Sequence, residues 1–179
     1  MKKDAPPAAS TAHAAVIAVV RGIAFAAVTL LYLSIPAPLS SYLWAVYVGF
    51  FLTMALGCRS GRMPAYLLSL CCGFVWAFLY MNLSGWLQAL VPLLNPTACT
   101  VLAEFILTAS LLFLHVRFFS GTVLGTVPAI FAAVAMIFAS GTLSAVPWCA
   151  LSACIGICMA FLTDRIIQLI LSKNPKEAA

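Results

Sequence analysis

Charged residues are scarce in this chain of 179 residues. They make up 7% of the sequence, and only four of them are acidic, whereas hydrophobic residues make up 65%. A water-soluble domain has about 25% charged residues and could not bury so much apolar surface. The composition therefore excludes a water-soluble fold. It predicts an all-α polytopic membrane protein, because helices satisfy their backbone hydrogen bonds internally within lipid.

Motifs of soluble enzymes and cofactor-binding proteins are also absent. The sequence contains no Walker loop, no Gly-x-Gly-x-x-Gly fingerprint and no Ser/His/Asp set. None of its seven cysteines forms the Cys-x-x-Cys pair of a zinc site, so we interpret them as apolar core residues. A soft-metal site at Cys71, Cys154 and Cys158 is the alternative. The sequence thus predicts no cofactor, no metal and no enzymatic activity.

Six apolar stretches fit passes through a bilayer core about 30 Å thick, which requires about 20 residues per helix. Prolines and polar turns separate these stretches. The predicted helices are Ala14–Ile35, Leu39–Leu56, Pro64–Leu83, Thr97–Val116, Phe118–Ala139 and Leu143–Ser172. Residues 1–13 and 173–179 are interpreted as tails that flank a transmembrane domain over residues 14–172. Pro128 is expected to kink the fifth helix.

The basic residues indicate an orientation. With six passes, all nine lie on one side of the bilayer: Lys2, Lys3, Arg21, Arg59, Arg62, Arg117, Arg165, Lys173 and Lys176. The three connections on the other side carry no charge. Because cytoplasmic loops retain Lys and Arg, both termini are predicted to be cytoplasmic. The nine charges are too dispersed to indicate a nucleic-acid partner.

Two segments are similar to each other without a gap. Pro64–Leu79 reads PAYLLSLCCGFVWAFL and Pro147–Leu162 reads PWCALSACIGICMAFL, with Pro, Ser, Cys and Gly at matching positions. They would cross the membrane in opposite directions, so residues 14–83 and 97–172 are predicted to be inverted three-helix repeats. Many transporters have this architecture, with the solute site at the repeat interface. Chance similarity between two apolar helices is the alternative.

Small side chains recur every four residues in both similar segments, and this spacing keeps them on one helix face. They are Ser69, Gly73 and Ala77 in helix three, and Ser152, Gly156 and Ala160 in helix six. Faces of small residues let two helix backbones approach closely. We therefore expect helices three and six to cross each other through these two stripes.

The segments GCRSG, CCGFVWAF and FFSGTVLGTVPAIFA resemble the YcdZ-like family of bacterial inner-membrane proteins. The resemblance extends over about residues 42–161, and Gly156 in the last helix also fits. It rests on Gly57, Gly61, Gly73, Trp76, Ala77, Gly121, Thr122 and Gly125. Ser120 stands where the family tends to have Pro. The resemblance implies a multi-pass protein of the bacterial inner membrane, and it supplies no substrate.

Glu104 is the most unusual residue of the predicted membrane segments. It lies eight residues after Pro96, about 12 Å into helix four at 1.5 Å per residue. A carboxylate at that depth is costly and usually faces protein or water, so Glu104 is a candidate for a solute or proton pathway. A protonated side chain bonded to a hydroxyl is the alternative. The other candidates for the pathway are Trp76, Gly121, Thr122, Gly125 and Thr126.

Two functions are compatible with these features. The first is a small-solute channel or secondary transporter, with its pathway between helices two, three, five and six. The second is a non-transporting membrane subunit that packs against a partner protein. The lipid bilayer surrounds the chain in both cases, and a homo-oligomer is compatible with either. The sequence does not indicate which solute would be carried.

Overall fold

The structure, a computed structural model, describes residues 11–173. In this range the chain forms six α-helices and no strand, so the predicted all-α fold is confirmed. The helices are α1 (Thr11–Ser34), α2 (Leu43–Leu56), α3 (Met63–Leu90), α4 (Pro96–Arg117), α5 (Val127–Ser140) and α6 (Val146–Lys173). Short 3₁₀ turns precede three of them, at Leu39–Tyr42, Ser60–Arg62 and Leu143–Ala145. Residues 1–10 and 174–179 of the predicted tails lie outside the described residues.

Five of the helices are long and apolar enough to cross a membrane, namely α1, α3, α4, α6 and α2 with its preceding turn. The helices are therefore compatible with a multi-pass integral membrane protein. α5 is apolar but has only 14 residues. It measures about 21 Å at 1.5 Å per residue, less than the roughly 30 Å of a hydrocarbon core. The fifth predicted span is thus shorter than the sequence indicates.

Helix five begins later than the sequence predicts. A helix was expected from Phe118 with a kink at Pro128, but residues 118–126 form turns and α5 begins at Val127. Pro128 therefore occupies the first helical turn. Its missing N–H costs little there, because the first N–H groups of a helix have no intrahelical partner. The predicted start and the predicted kink are both wrong.

The turns before α5 are held together by local polar contacts. The Thr122 hydroxyl donates to the Phe119 carbonyl at 2.9 Å and accepts from the Leu124 N–H at 3.2 Å. Gly125 lies against the Phe119 carbonyl oxygen, where an added Cβ would collide. Hydroxyl side chains that bond to nearby backbone compete with helix formation, which explains why the helix does not extend through this segment.

Helix α3 also differs from its predicted end. It continues to Leu90 rather than ending at Leu83. Residues 84–90 contain no proline, and the first strong helix breaker is Pro92, which restricts the backbone of Val91. The segment expected to be a loop on the uncharged side of the membrane is therefore largely helical.

The six helices form two groups of three. α2 has its most extensive contacts with α6, and α3 has its most extensive contacts with α5. α1 packs on α6, and α4 packs on α3. The groups are thus α1, α2 and α6, and α3, α4 and α5, so each contains one helix from the other half of the chain. They meet where α2, α3, α5 and α6 touch, which we call the central interface.

The small-residue stripes lie at the closest helix contacts, but not at the contact that was predicted. An added Cβ on Gly73 would lie 2.7 Å from the Ala133 Cβ of α5. An added Cβ on Gly156 would lie 2.8 Å from the Phe50 amide nitrogen of α2. The prediction that the stripes of α3 and α6 face each other is therefore wrong. Each stripe instead faces the short helix of the opposite half.

The four other stripe residues are also buried, and two of them make polar contacts. The Ser152 hydroxyl accepts a hydrogen bond from the Tyr32 hydroxyl of α1 at 2.9 Å. The Ser69 hydroxyl donates to the Val123 carbonyl at 3.0 Å, which fixes the turns before α5. Ser69, Ala77, Ser152 and Ala160 are all fully buried. The stripes thus combine close backbone packing with hydrogen bonds between helices.

Corresponding elements in the two halves keep a constant spacing along the chain. The ends of α2 and α5 are 84 residues apart, at Leu43 and Val127 and at Leu56 and Ser140. The first residues of α3 and α6, Met63 and Val146, are 83 residues apart. Gly57 and Gly141 follow α2 and α5, with φ angles of 87° and 70°. No other residue in the described range has a positive φ, and this conformation favours glycine.

Substitution of Gly156 by Ala tests the contact between α6 and α2. We expect Gly156→Ala to lower the stability of the protein in detergent by about 1–3 kcal/mol, because overpacking forces two helix backbones apart. Gly22→Ala on α1 is the matched control, since nothing lies within 4 Å of its added Cβ. Thermal unfolding measures both variants. Equal melting temperatures for Gly156→Ala and the wild type would contradict this contact.

Candidate functional site

The candidate site is a cavity of about 370 Å³ at one end of the central interface. The end of α2, the loop that follows it, the start of α3 and the residues leading into α5 form its walls. The lining residues are Leu56, Arg59, Arg62, Tyr66, Gly125, Thr126 and Pro128. We call this cavity the arginine pocket.

Two side chains of α3 hold the walls of the arginine pocket in place. The Tyr66 hydroxyl donates to the carbonyl oxygens of Leu56 at 3.1 Å and Gly57 at 2.9 Å, which joins α3 to the end of α2. The Ser69 hydroxyl accepts from the Thr126 N–H at 3.2 Å, which joins α3 to the start of α5. Tyr66 and Ser69 are buried, so these hydrogen bonds fix the relative positions of three helices.

The arginine pocket carries positive charge without an acidic partner. Arg59 and Arg62 are both exposed, and neither side chain forms a hydrogen bond or ion pair within residues 11–173. The acidic residues in this range are Glu104 and Asp164, and neither lines the pocket. The two guanidinium groups are therefore available to an anion.

The predicted pathway residues do not form a single cluster. Gly125 and Thr126 line the arginine pocket. Gly121 and Thr122 lie in exposed turns before α5 and do not line it. Sequence reasoning used Arg59 only to orient the chain. The sequence pattern that could have predicted the arginine pocket is the position of Arg59 three residues before a second arginine, beside a short polar turn.

Trp76 contributes to a buried polar contact instead of the arginine pocket. Its indole N–H donates to His115 Nε2 at 3.1 Å, and His115 Nδ1 lies 2.8 Å from the Leu124 carbonyl oxygen. Because Nε2 accepts, Nδ1 carries the proton and the imidazole is neutral. His115 is only 2% exposed. This contact joins α3, α4 and the turns before α5, and it was not predicted from the sequence.

Glu104 lies on the outer face of α4, away from the central interface. It is exposed and borders a shallow groove of about 440 Å³ together with Phe105, Thr108, Ala109 and Leu112. Its side chain makes no hydrogen bond within residues 11–173. The nearby Thr108 hydroxyl is paired with the Tyr80 hydroxyl at 2.7 Å. The structure therefore does not bring Glu104 together with the other pathway candidates.

A second cavity, of about 330 Å³, lies at the same end between the loop after α2 and α6. It contains Cys58, Asp164 and Arg165. Burial raises the pKa of the Cys58 thiol above its ordinary value, Asp164 raises it further, and Arg21 opposes both effects. The thiol therefore stays protonated at neutral pH and is a poor nucleophile.

The cysteines of the described range are all free. Within residues 11–173, no group of three His, Cys, Asp or Glu side chains lies close enough to hold a metal ion. The cysteines that were considered for a soft-metal site are partly or fully exposed on α3 and α6. Cys99 and Cys149 are buried, as the interpretation of the cysteines as core residues expects. For Cys71 and Cys158 that interpretation is wrong, because both are exposed.

Comparison of the chain with protein-family models, with curated proteins and with solved structures gives no match. The resemblance to the YcdZ-like family, and the bacterial inner membrane that it implies, therefore stay predictions.

Replacement of Trp76 by Phe tests the contact with His115. We expect Trp76→Phe to destabilise the protein by about 1–3 kcal/mol, because the buried Nε2 atom of His115 loses its donor. Trp86→Phe is the matched control, since Trp86 is 47% exposed and makes no hydrogen bond within the described range. Thermal unfolding in detergent compares the two variants. No loss of stability in Trp76→Phe, or an equal loss in both variants, would contradict the role of this hydrogen bond.

Proposed function

We propose that this chain is a small-solute channel or secondary transporter built from two inverted repeats, residues 14–83 and 97–172. The arginine pocket would be the cytoplasmic entrance of its pathway. The single observation that carries the proposal is the position of this pocket, which opens at one end of the central interface and contains polar groups from both halves of the chain.

The constant spacing of the helix ends supports the repeat. Helices α2 and α5 begin and end 84 residues apart, and α3 and α6 begin 83 residues apart. Equivalent glycines with positive φ follow α2 and α5. The helix contacts are also reciprocal, because α3 packs on α5 as α6 packs on α2. Each half has three helices, and an odd number of passes places the second half upside down in the membrane. Transporters commonly have this arrangement.

The arrangement of the central interface is compatible with alternating access. The arginine pocket is open at the end that carries Arg59, which the distribution of basic residues assigns to the cytoplasm. Towards the other end, apolar residues close the interface, and Ala45, Ile137 and Cys149 are fully buried. A small rotation of one helix group against the other would close the pocket and open the opposite end, which is a common motion of inverted-repeat transporters.

Uptake by purified protein in liposomes tests the proposal. We expect solutes from a panel of small anions, cations and neutral molecules to enter these vesicles faster than protein-free vesicles of the same lipid. Equal uptake rates for every solute of the panel would count against transport.

Labelling of Cys149 provides a second test that requires no knowledge of the solute. In a variant that retains only Cys149, we expect a small impermeant thiol reagent to label it from the side opposite the arginine pocket, because opening of the interface exposes this end. A variant that retains only Cys99 is the control, because Cys99 is also buried but lies on α4, outside the central interface. Equal protection of both cysteines would contradict the proposed opening.

A specific observation favours a second function, that of a non-transporting membrane subunit. The exposed carboxyl group of Glu104 lies in the outer groove of α4 without a partner in the described range. Contact of an ionisable side chain with hydrocarbon is costly, and polar groups stabilise contacts between membrane helices. A helix of a second chain that supplies a hydrogen-bonding group would remove this cost, and small Ala109 leaves room for it.

Replacement of Glu104 by Leu tests this second function. We expect Glu104→Leu to weaken association with the second chain by about 1–2 kcal/mol, whereas Glu104→Gln keeps a hydrogen-bonding group and retains most of it. Thr100→Val is the control, since the Thr100 hydroxyl already bonds to the Pro96 carbonyl of its own helix. Analytical ultracentrifugation in detergent measures association. A monomeric wild type that co-purifies with no stoichiometric partner would exclude this function.

A further inference from the structure

We propose that the arginine pocket binds a phosphate group through Arg59 and Arg62. The binding step is inferred from the pocket alone, whereas its role in recognising a transported substrate rests on the proposed function.

The two arginines lie at the two ends of one short turn. The Arg62 N–H donates to the Arg59 carbonyl at 2.7 Å, which closes the 3₁₀ turn between them. Arg59 has an extended backbone and directly precedes the turn, and Arg62 is the last residue of the turn. Both line the same cavity. Two guanidinium groups in this arrangement can contact one ligand together.

The chemistry of the pocket favours phosphate. A guanidinium group offers planar, bidentate hydrogen bonds that match phosphate oxygens. The Thr126 hydroxyl is a further donor in the same cavity, because no contact within residues 11–173 occupies it. The cavity of about 370 Å³ also leaves space for a small organic group, which would contact Leu56 and Pro128.

The equivalent turn in the second half shows that the fold does not require the arginines. The turn Leu143–Ala145 has the same length and lies 83 residues after Ser60–Arg62. The residues equivalent to Arg59 and Arg62 are Thr142 and Ala145. Ala145 is fully buried and the turn forms without any charge. The two arginines therefore have a role other than the formation of this turn.

Retention of the loop in the cytoplasm is the alternative role, and it makes a different prediction. Retention depends on positive charge, so Lys would replace Arg without loss. Bidentate recognition of phosphate depends on the guanidinium group, for which Lys is a poor substitute. Replacement by Lys therefore separates the two roles.

Binding measurements on the full chain test the proposal. In maltoside detergent, which contains no phosphate, inorganic phosphate and glycerol phosphate are titrated by calorimetry. In a second arm, native mass spectrometry measures retention of added phosphatidylglycerol. We expect Arg59→Gln with Arg62→Gln to weaken binding at least about tenfold, and the double Lys variant to weaken it in the same direction. Arg117→Gln is the matched control, because Arg117 lies outside the pocket over the Phe118 ring.

The outcomes distinguish the two sources of phosphate. Saturable binding in the first arm identifies a free phosphorylated solute as the ligand, and binding only in the second arm identifies the headgroup of an anionic lipid. If a double variant does not fold, single substitutions at Arg59 and Arg62 replace it in the measurement. Each single substitution is expected to weaken phosphate binding. Absence of binding in both arms overturns the proposal. Equal loss in Arg117→Gln, or full binding by the double Lys variant, overturns it as well.

This proposal and the proposed transport function can fail separately. Phosphate binding without uptake of any solute would refute transport and leave the binding site intact. Uptake of a solute by a protein that binds no phosphate would refute the binding site and leave transport intact.

Discussion

Contact between helix backbones at Gly73 and Gly156 is the constraint on which the rest of the structure depends. Between helices in a bilayer there is little hydrophobic driving force, because lipid is as apolar as the side chains, so close packing and polar contacts must hold the bundle together. The two glycines bring α3 against α5 and α6 against α2. The hydrogen bonds of Ser69 and Tyr66, and therefore the walls of the arginine pocket, depend on that closeness.

The sequence predicts properties of single helices better than contacts between them. Of the five helices that begin inside the described range, four were predicted within a few residues at their first residue, because prolines and glycines mark their starts. The four-residue spacing of Ser69, Gly73 and Ala77 correctly indicated one buried face. It could not indicate which helix covers that face, because spacing along a helix carries no information about its neighbour. The neighbour depends on how the helices group: α3 packs with α4 and α5 of the second half, and α6 packs with α1 and α2 of the first half.

The candidate site was predictable only in part, for the same reason. Gly125 and Thr126 were identified, but the arginine pocket forms only because residues 118–126 turn back instead of continuing a helix. For Glu104, the position along α4 follows from its distance to Pro96, whereas the direction of its side chain depends on where α4 touches α3. His115 carried no sequence signal, since its partners come from α3 and from the turns before α5.

The packing of α3 with the second half of the chain, and of α6 with the first half, has a consequence for biogenesis. When α3 leaves the ribosome, α5 has not yet been synthesised, so the glycine face of α3 has no native partner in the membrane. α2 is in the same position until α6, the last helix of the described range, has been inserted. Neither half can bury its small-residue face alone, and long-range contacts of this kind slow folding. The glycine face of α3 must therefore wait in lipid for α5, and α2 must wait for α6, so the two helix groups are completed one after the other.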